Sequence, residues 1–215
     1  MDKFEGLIFD LDGTIVDSHF LTTNFLACVL KKYGNLEFSE NEINSLFGPS
    51  ERMIFKKFIS AQKIDKCYLE YFNLFKKNMD KINLFEGFPE VLDFLNSMGK
   101  KLAIFTGRGR ELTLYILKQK NLLKYFKIIV TSEDIKRYKP QPEGVLKICH
   151  YFGLPTSKIL HIGDSPLDIT SGKRAGVFTG AALWGSRNKE AVKEARPDYI
   201  FHHPEEIKRL FYEQN

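Results

Sequence analysis

Apolar residues along this chain fall into two patterns whose order predicts the fold. Short unbroken runs at Leu7–Phe9, Leu102–Phe105, Ile128–Val130, Ile159–Ile162 and Val177–Thr179 read as buried strands, and Tyr199–Phe201 adds a candidate sixth. From Gly87 onward the segments between these runs are amphipathic at helical spacing and long enough for crossovers, so a parallel sheet is expected. The stretch between the first two runs is different. Leu26, Val29 and Leu30 make an apolar stripe that closes at Gly34, and Ser39 with Glu42 forms a capping box for a second helix. Gly48 and Pro49 stop that helix, and Ser50 is placed to cap a third carrying Ile54, Phe58 and Ala61. A fourth carries Ile64, Tyr68, Phe72, Phe75 and Met79. The expected architecture is therefore a doubly wound α/β core, residues 1–17 and 83–215, interrupted by an α-helical cap at 18–82.

Bulk properties narrow the function. The chain has 215 residues and 43% hydrophobic content, ample for a packed interior. Its net charge of +5 comes from interspersed lysines and acids without a basic block, so it points only weakly to nucleic acid and suits small anionic substrates equally well; no nucleic-acid partner is expected. Cys28, Cys67 and Cys149 are odd in number and widely spaced, so they read as buried thiols and not as a disulfide framework or zinc site. No run of 18 apolar residues occurs, and Met1–Gly6 is too short and charged to open a signal peptide. The expectation is a soluble cytoplasmic protein with no membrane partner, as a monomer or homodimer.

The chemistry concentrates where the first strand ends. In locally extended backbone residues two apart face the same way, so Asp10 and Asp12 share one small volume beyond Phe9. Such a pair persists if a cation lies between the acids, or if one holds a proton and works as an acid/base. A plain Asp/Gly turn is one reading. A calcium loop fails, because Ile15 and Leu21 stand where Gly and Glu are needed. The third reading is a carboxylate nucleophile with Mg2+ and a neighbouring acid/base, which is phosphoryl-transfer chemistry.

In an open α/β sheet the remaining chemistry should sit at the other strand ends. The second strand runs into Thr106-Gly107-Arg108-Gly109, either a phosphate-holding loop or a Gly-rich strand–helix connection. Lys139 stands in a proline-stiffened loop, either to neutralise a transferring phosphoryl group or as a solvated surface lysine. The Ile159 run delivers Asp164, a metal ligand or a helix cap, and Asp168, which orients its neighbours.

These residues resemble the haloacid dehalogenase superfamily, in the branch with a helical cap after the first motif. FDLDGTIVDS, FTGR, KPQPE and HIGDSPLDITSGKRAG carry the resemblance, which spans essentially the whole chain. It implies a Rossmann-like core and a phosphatase acting on a small phosphorylated metabolite. Asp10 would attack phosphorus, and Asp12 would protonate the leaving oxygen and then activate water. Mg2+ would be held by Asp10, Asp164 and the Asp12 carbonyl. Thr106 and the Gly107 amide would bind phosphate with Arg108 beside them, Lys139 would stabilise charge, and Asp168 would lie behind the metal ligands. The superfamily's dehalogenases lack the second acid, which Asp12 supplies here.

The Gly48-Pro49-Ser50 loop with Arg52 is similar to the specificity loop of phosphoglycolate phosphatases and related pyrophosphatases, and equally reads as a helix break. Arg52 is accordingly a candidate substrate-binding residue. Pyrophosphatase and sugar-phosphate mutase are the alternative activities, with a non-catalytic binding protein more remote. The mutases usually carry Ser-Lys at Gly107-Arg108. No phosphonatase-type lysine stands out among Lys31, Lys32, Lys56 and Lys57, which read as solvated. His161 reads as a core histidine and Trp184 as a packing residue whose relation to the site is open.

Overall fold

The structure is a computed structural model and describes residues 3–212. Its main sheet has six parallel strands: β1 (Gly6–Phe9), β4 (Lys101–Thr106), β5 (Phe126–Thr131), β6 (Ile159–Gly163), β7 (Phe178–Ala182) and β8 (Tyr199–Phe201), in the spatial order β5-β4-β1-β6-β7-β8. The doubly wound α/β expectation holds, including the sixth strand. One boundary moves: the expected Val177–Thr179 strand lies at Phe178–Ala182, because its pairing runs on through Gly180, Ala181 and Ala182. Those small residues give a weak hydrophobic signal. A side chain at Gly180 would meet the Phe201 ring at 2.7 Å.

Alternation along the strands divides the core between the two faces. Leu7, Phe9, Leu102, Ile104, Leu160 and Ile162 pack on one face with α5 (Phe88–Ser97) and α6 (Arg110–Gln119). Ile8, Ala103, Phe105 and Val130 pack on the other with α7 (Glu143–Phe152). The first cluster continues without a break into the inserted helices, through Leu26, Ile54, Phe55, Tyr71 and Phe75.

Those helices are α1 (His19–Gly34), α2 (Glu40–Ser45), α3 (Glu51–Phe58) and α4 (Ile64–Lys77). At the base of the insertion a two-residue strand on either side, β2 (Val16–Asp17) and β3 (Asn83–Leu84), pairs antiparallel. The Ser39–Glu42 capping box is present, whereas the Ser50 hydroxyl makes no cap bond to α3. Cys67 and Cys149 are buried, but Cys28 is exposed, because it falls on the outer side of α1. Among the described residues no helix is long and apolar enough to cross a membrane.

Register aligns the strand ends that matter. Phe9 lies level with Ile104 on one side and Ile162 on the other, so the segments after β1, β4 and β6 leave the sheet side by side. Trp184, just past β7, braces the first of these: its indole N–H donates to the Thr14 carbonyl at 2.9 Å and its ring packs against Phe88. Next to it, any side chain at Gly185 would run into the Gly13 carbonyl. Gly185→Ala should therefore lower stability by about 1–3 kcal/mol through backbone displacement. Urea unfolding midpoints measure this, and an unchanged midpoint would contradict the close approach.

Candidate active site

Asp10 is the first residue beyond β1, and its backbone N–H still donates to the Ile162 carbonyl at 2.9 Å. The Leu11 N–H holds its Oδ1 at 2.7 Å, and Lys139 Nζ lies 3.2 Å from the same oxygen. Lys139 comes from the loop before α7 and is buried, not solvated. Its ammonium also reaches Asp168 Oδ1 at 2.6 Å and donates to the Phe105 carbonyl at 2.7 Å. Burial opposes the charge on Lys139, but Asp10 and Asp168 outweigh it and raise its pKa. Asp10 is pushed well above the usual carboxylate range by burial; Lys139 counters this, and Asp168, Asp164 and Asp12 add to it.

Gly13 turns the chain away from Asp12 with a φ of 76°, and its N–H donates to the Val16 carbonyl at 2.9 Å. Asp12 is gripped from the β4–α6 loop. Arg108 Nε donates to Oδ2 at 2.9 Å and Nη2 to Oδ1 at 2.8 Å, and the Ser18 hydroxyl also donates to Oδ1. Burial raises the Asp12 carboxyl, but the guanidinium prevails and leaves it below its ordinary value.

Asp164, after β6, receives the Thr14 hydroxyl at 3.4 Å and lies 3.0 Å from His19 Nε2. Burial raises the Asp164 pKa and His19 opposes it. The N-cap of α8 (Pro166–Ala175) is Ser165, not Asp164. Asp168 reaches back from the first turn of α8, its Oδ2 accepting the Ser165 N–H at 3.2 Å and hydroxyl at 2.6 Å. His161 is buried beneath, and burial lowers its imidazole pKa to about 4, so it is neutral as a core histidine.

Oxygens of Asp10, Asp164 and Asp168 lie within 4.8 Å of one another, and an all-oxygen set of this kind suits a hard divalent cation. Asp168 lies beneath the Lys139 ammonium and does not line the cavity above, whereas Asp10 and Asp164 do, which makes those two the carboxylates a cation in the cavity would meet. Gly13 is what lets these groups gather, since any side chain there would run into His19 Nε2 and the Asp164 carboxylate.

A cavity of about 360 Å³ opens over these groups. It brings together Asp10, Asp12, Thr106, Gly107, Arg108, Lys139 and Asp164, with Asp168 beneath Lys139. The insertion supplies its other wall with Phe47, Gly48, Pro49 and Ile54. Gly107 is a point of close approach, since a side chain there would come within 2.8 Å of the Gly48 carbonyl.

Arg52 is not brought to the cavity. It pairs with Asp65 and lies over the Tyr68 ring at 4.0 Å, because one helical step turns it off the face that its neighbour presents. That neighbour, Glu51, lines the cavity and was not anticipated, and neither were His19, Asn44 and Arg187. His19 directly follows the first motif. Arg187 lies in the segment after β7, the same kind of position past a strand end as Asp10 and Asp164.

Comparison with known proteins agrees with this geometry. The haloacid dehalogenase-like hydrolase family matches residues 7–182, and the chain belongs to it. Relatives include a phosphoglycolate phosphatase from Aquifex aeolicus, 32% identical over 95% of both chains. Another is the pyrophosphatase PpaX of Oceanobacillus iheyensis, 32% identical over 95% of this chain and 94% of that one. A crystal structure from Haemophilus somnus, described as a predicted phosphoglycolate phosphatase, shares the fold at a TM-score of 0.82. It is 24% identical and covers 97% of this chain and 99% of its own. The protein is a phosphatase of this family, acting on a small phosphorylated substrate.

If Asp164 is a cation ligand, magnesium at a hundredfold excess over its dissociation constant should raise the unfolding free energy by about 2.7 kcal/mol. Asp164→Asn should lose that increment in a denaturant titration. Equal magnesium stabilisation of both proteins would remove Asp164 from the donor set.

Proposed function

We propose that this phosphatase is magnesium-dependent and works through an aspartyl phosphate on Asp10. The observation that carries the reading is the Lys139 bridge: one buried ammonium within reach of Asp10 and Asp168 holds the Asp10 oxygen at the sheet edge, beside Asp12. In the first step Asp10 attacks phosphorus, the bond to the ester oxygen breaks, and Asp12, which takes up a proton against the pull of Arg108 when substrate binds, gives that proton to the departing oxygen. In the second, Asp12 takes a proton from water as the water attacks phosphorus, and Asp10 is released. Thr106, the Gly107 amide and Arg108 line the phosphate's side of the cavity, and Lys139 offsets charge on the transferring group. Magnesium, held by Asp10, Asp164 and the Asp12 carbonyl, would supply further charge neutralisation. Residues 18–82 act as a cap that excludes water from this chemistry.

The preferred substrate carries a second anionic group beside its phosphate, as phosphoglycolate does. Pyrophosphate is the second reading, favoured by the relatives named pyrophosphatase. Arg187 supports both. It reaches the cavity edge from the loop after β7, donates to Thr23 Oγ1 at 3.0 Å and to Asn44 Oδ1, and has Glu40 at 3.6 Å as its carboxylate neighbour.

Phosphate release from a panel of monoesters and pyrophosphate, with magnesium and with chelator, tests the reaction. Turnover should require magnesium and fall about a thousandfold or more in Asp10→Asn, which should still unfold cooperatively. Undiminished turnover in that variant would refute the nucleophile. Arg187→Ala should raise KM for phosphoglycolate about tenfold, the worth of one charge-assisted hydrogen bond. A neutral-tailed ester should be far less affected, and an equal change for both would count against the second anion.

A further inference from the structure

Arg108 leaves the β4–α6 loop of the core and ends among the inserted helices. Besides its two bonds to Asp12, Nη2 donates to Thr22 Oγ1 on α1 at 2.8 Å, and Nη1 lies 3.2 Å from Glu51 Oε1 at the start of α3. The guanidinium carbon stands 4.7 Å from the centre of the Phe75 ring on α4. One planar side chain thus touches the acid of the first motif and three separate helices of the insertion. The second Glu51 oxygen accepts the Gly109 N–H at 2.9 Å, which fastens the first turn of α3 to the same loop.

The cluster is poorly solvated: the Arg108, Glu51 and Asp12 side chains are 2%, 7% and 18% exposed. Stability does not account for it, because desolvating buried charges offsets much of their attraction, and apolar replacements of such triads are often neutral or better. What a guanidinium fork supplies is orientation, since its donors are fixed in one plane and match a carboxylate two at a time. Arg108 alone could still swing about its long stem. Glu51 and Thr22 hold the far side of the fork, so the edge that meets Asp12 is fixed by where α3 and α1 sit.

We propose that Glu51 is a positioning residue for phosphoryl transfer: by anchoring Arg108 it aims the Asp12 carboxyl at the leaving-group oxygen. Asp12 is then set when α3 is seated on the β4–α6 loop. This rests on Asp12 acting as the proton donor to the leaving group, as argued above.

Two leaving groups separate this role from a structural one. An alkyl phosphate expels an alkoxide that needs the proton, whereas p-nitrophenyl phosphate expels a phenolate that leaves without one. Rapid-quench measurement of phosphoenzyme formation in magnesium should show the alkyl-to-aryl rate ratio falling about tenfold or more in Glu51→Gln, the scale of a misaligned general acid. KM should move little for either ester. Glu51→Asp keeps the charge but shortens the reach to Arg108 and should show a leaving-group-dependent loss of the same kind, which keeps the test decisive if Glu51→Gln does not fold. Equal losses on both esters would mean that Glu51 only holds the fold or the substrate. A faster alkyl reaction would mean that the grip restrains Asp12. Either result overturns the proposal, whereas wild-type protein forming no phosphoenzyme from either ester would instead overturn the aspartyl-phosphate route.

Discussion

Four carboxylates, Asp10, Asp12, Asp164 and Asp168, are packed into one small, poorly solvated volume at the edge of a parallel sheet, and their mutual repulsion is the constraint the rest of the structure answers. Three basic side chains meet the four acids. Lys139 bridges Asp10 and Asp168, Arg108 grips Asp12, and His19 reaches Asp164. The compensation is incomplete where it matters. Asp12 and Asp168 are held below their ordinary pKa, while Asp10 and Asp164 stay above it. Burial is the first cause of both shifts, so the ionised forms least stabilised by the protein alone belong to the two acids that line the cavity and are best placed for a divalent cation.

The compensating groups also explain how the inserted helices are seated. His19 opens α1, and Arg108 and Arg187 reach from core loops to acceptors on α1, α2 and α3. Most of the seam sets core cations against acceptors of the insertion, His19 against the core's Asp164 being the reverse case, with the Gly107–Gly48 approach between them. A continuous apolar cluster beneath carries the bulk of the packing. Moving the helices would strip Arg108 of Thr22, Glu51 and Phe75 together.

Much of this was legible in the sequence because it follows from local rules. An apolar run followed by Asp10 and Asp12, and later runs ending in Thr106 and Asp164, place chemistry at strand ends whatever the cap does. Lys139 was legible only by its order among these motifs, since its burial depends on Asp10, Asp168 and the Phe105 carbonyl converging on it. Where the reading failed, a single step of geometry was at stake. Arg52 and Glu51 are neighbours, but about 100° of helical rotation sends one to Tyr68 and the other to Arg108. Position along the chain cannot decide between them without knowing which side of α3 meets the core.

The same geometry divides labour across the cavity. Groups that handle charge come from the sheet edge, where backbone pairing to β4 and β6 fixes them against rigid neighbours. The opposite wall, Phe47, Pro49 and Ile54, is apolar and offers shape without reactivity. Arg187 and Glu51 break this division, one a core cation reaching outward and the other an insertion carboxylate reaching inward. Both line the cavity between the walls, so the residues that cross the seam are those through which the insertion can influence chemistry performed by the core.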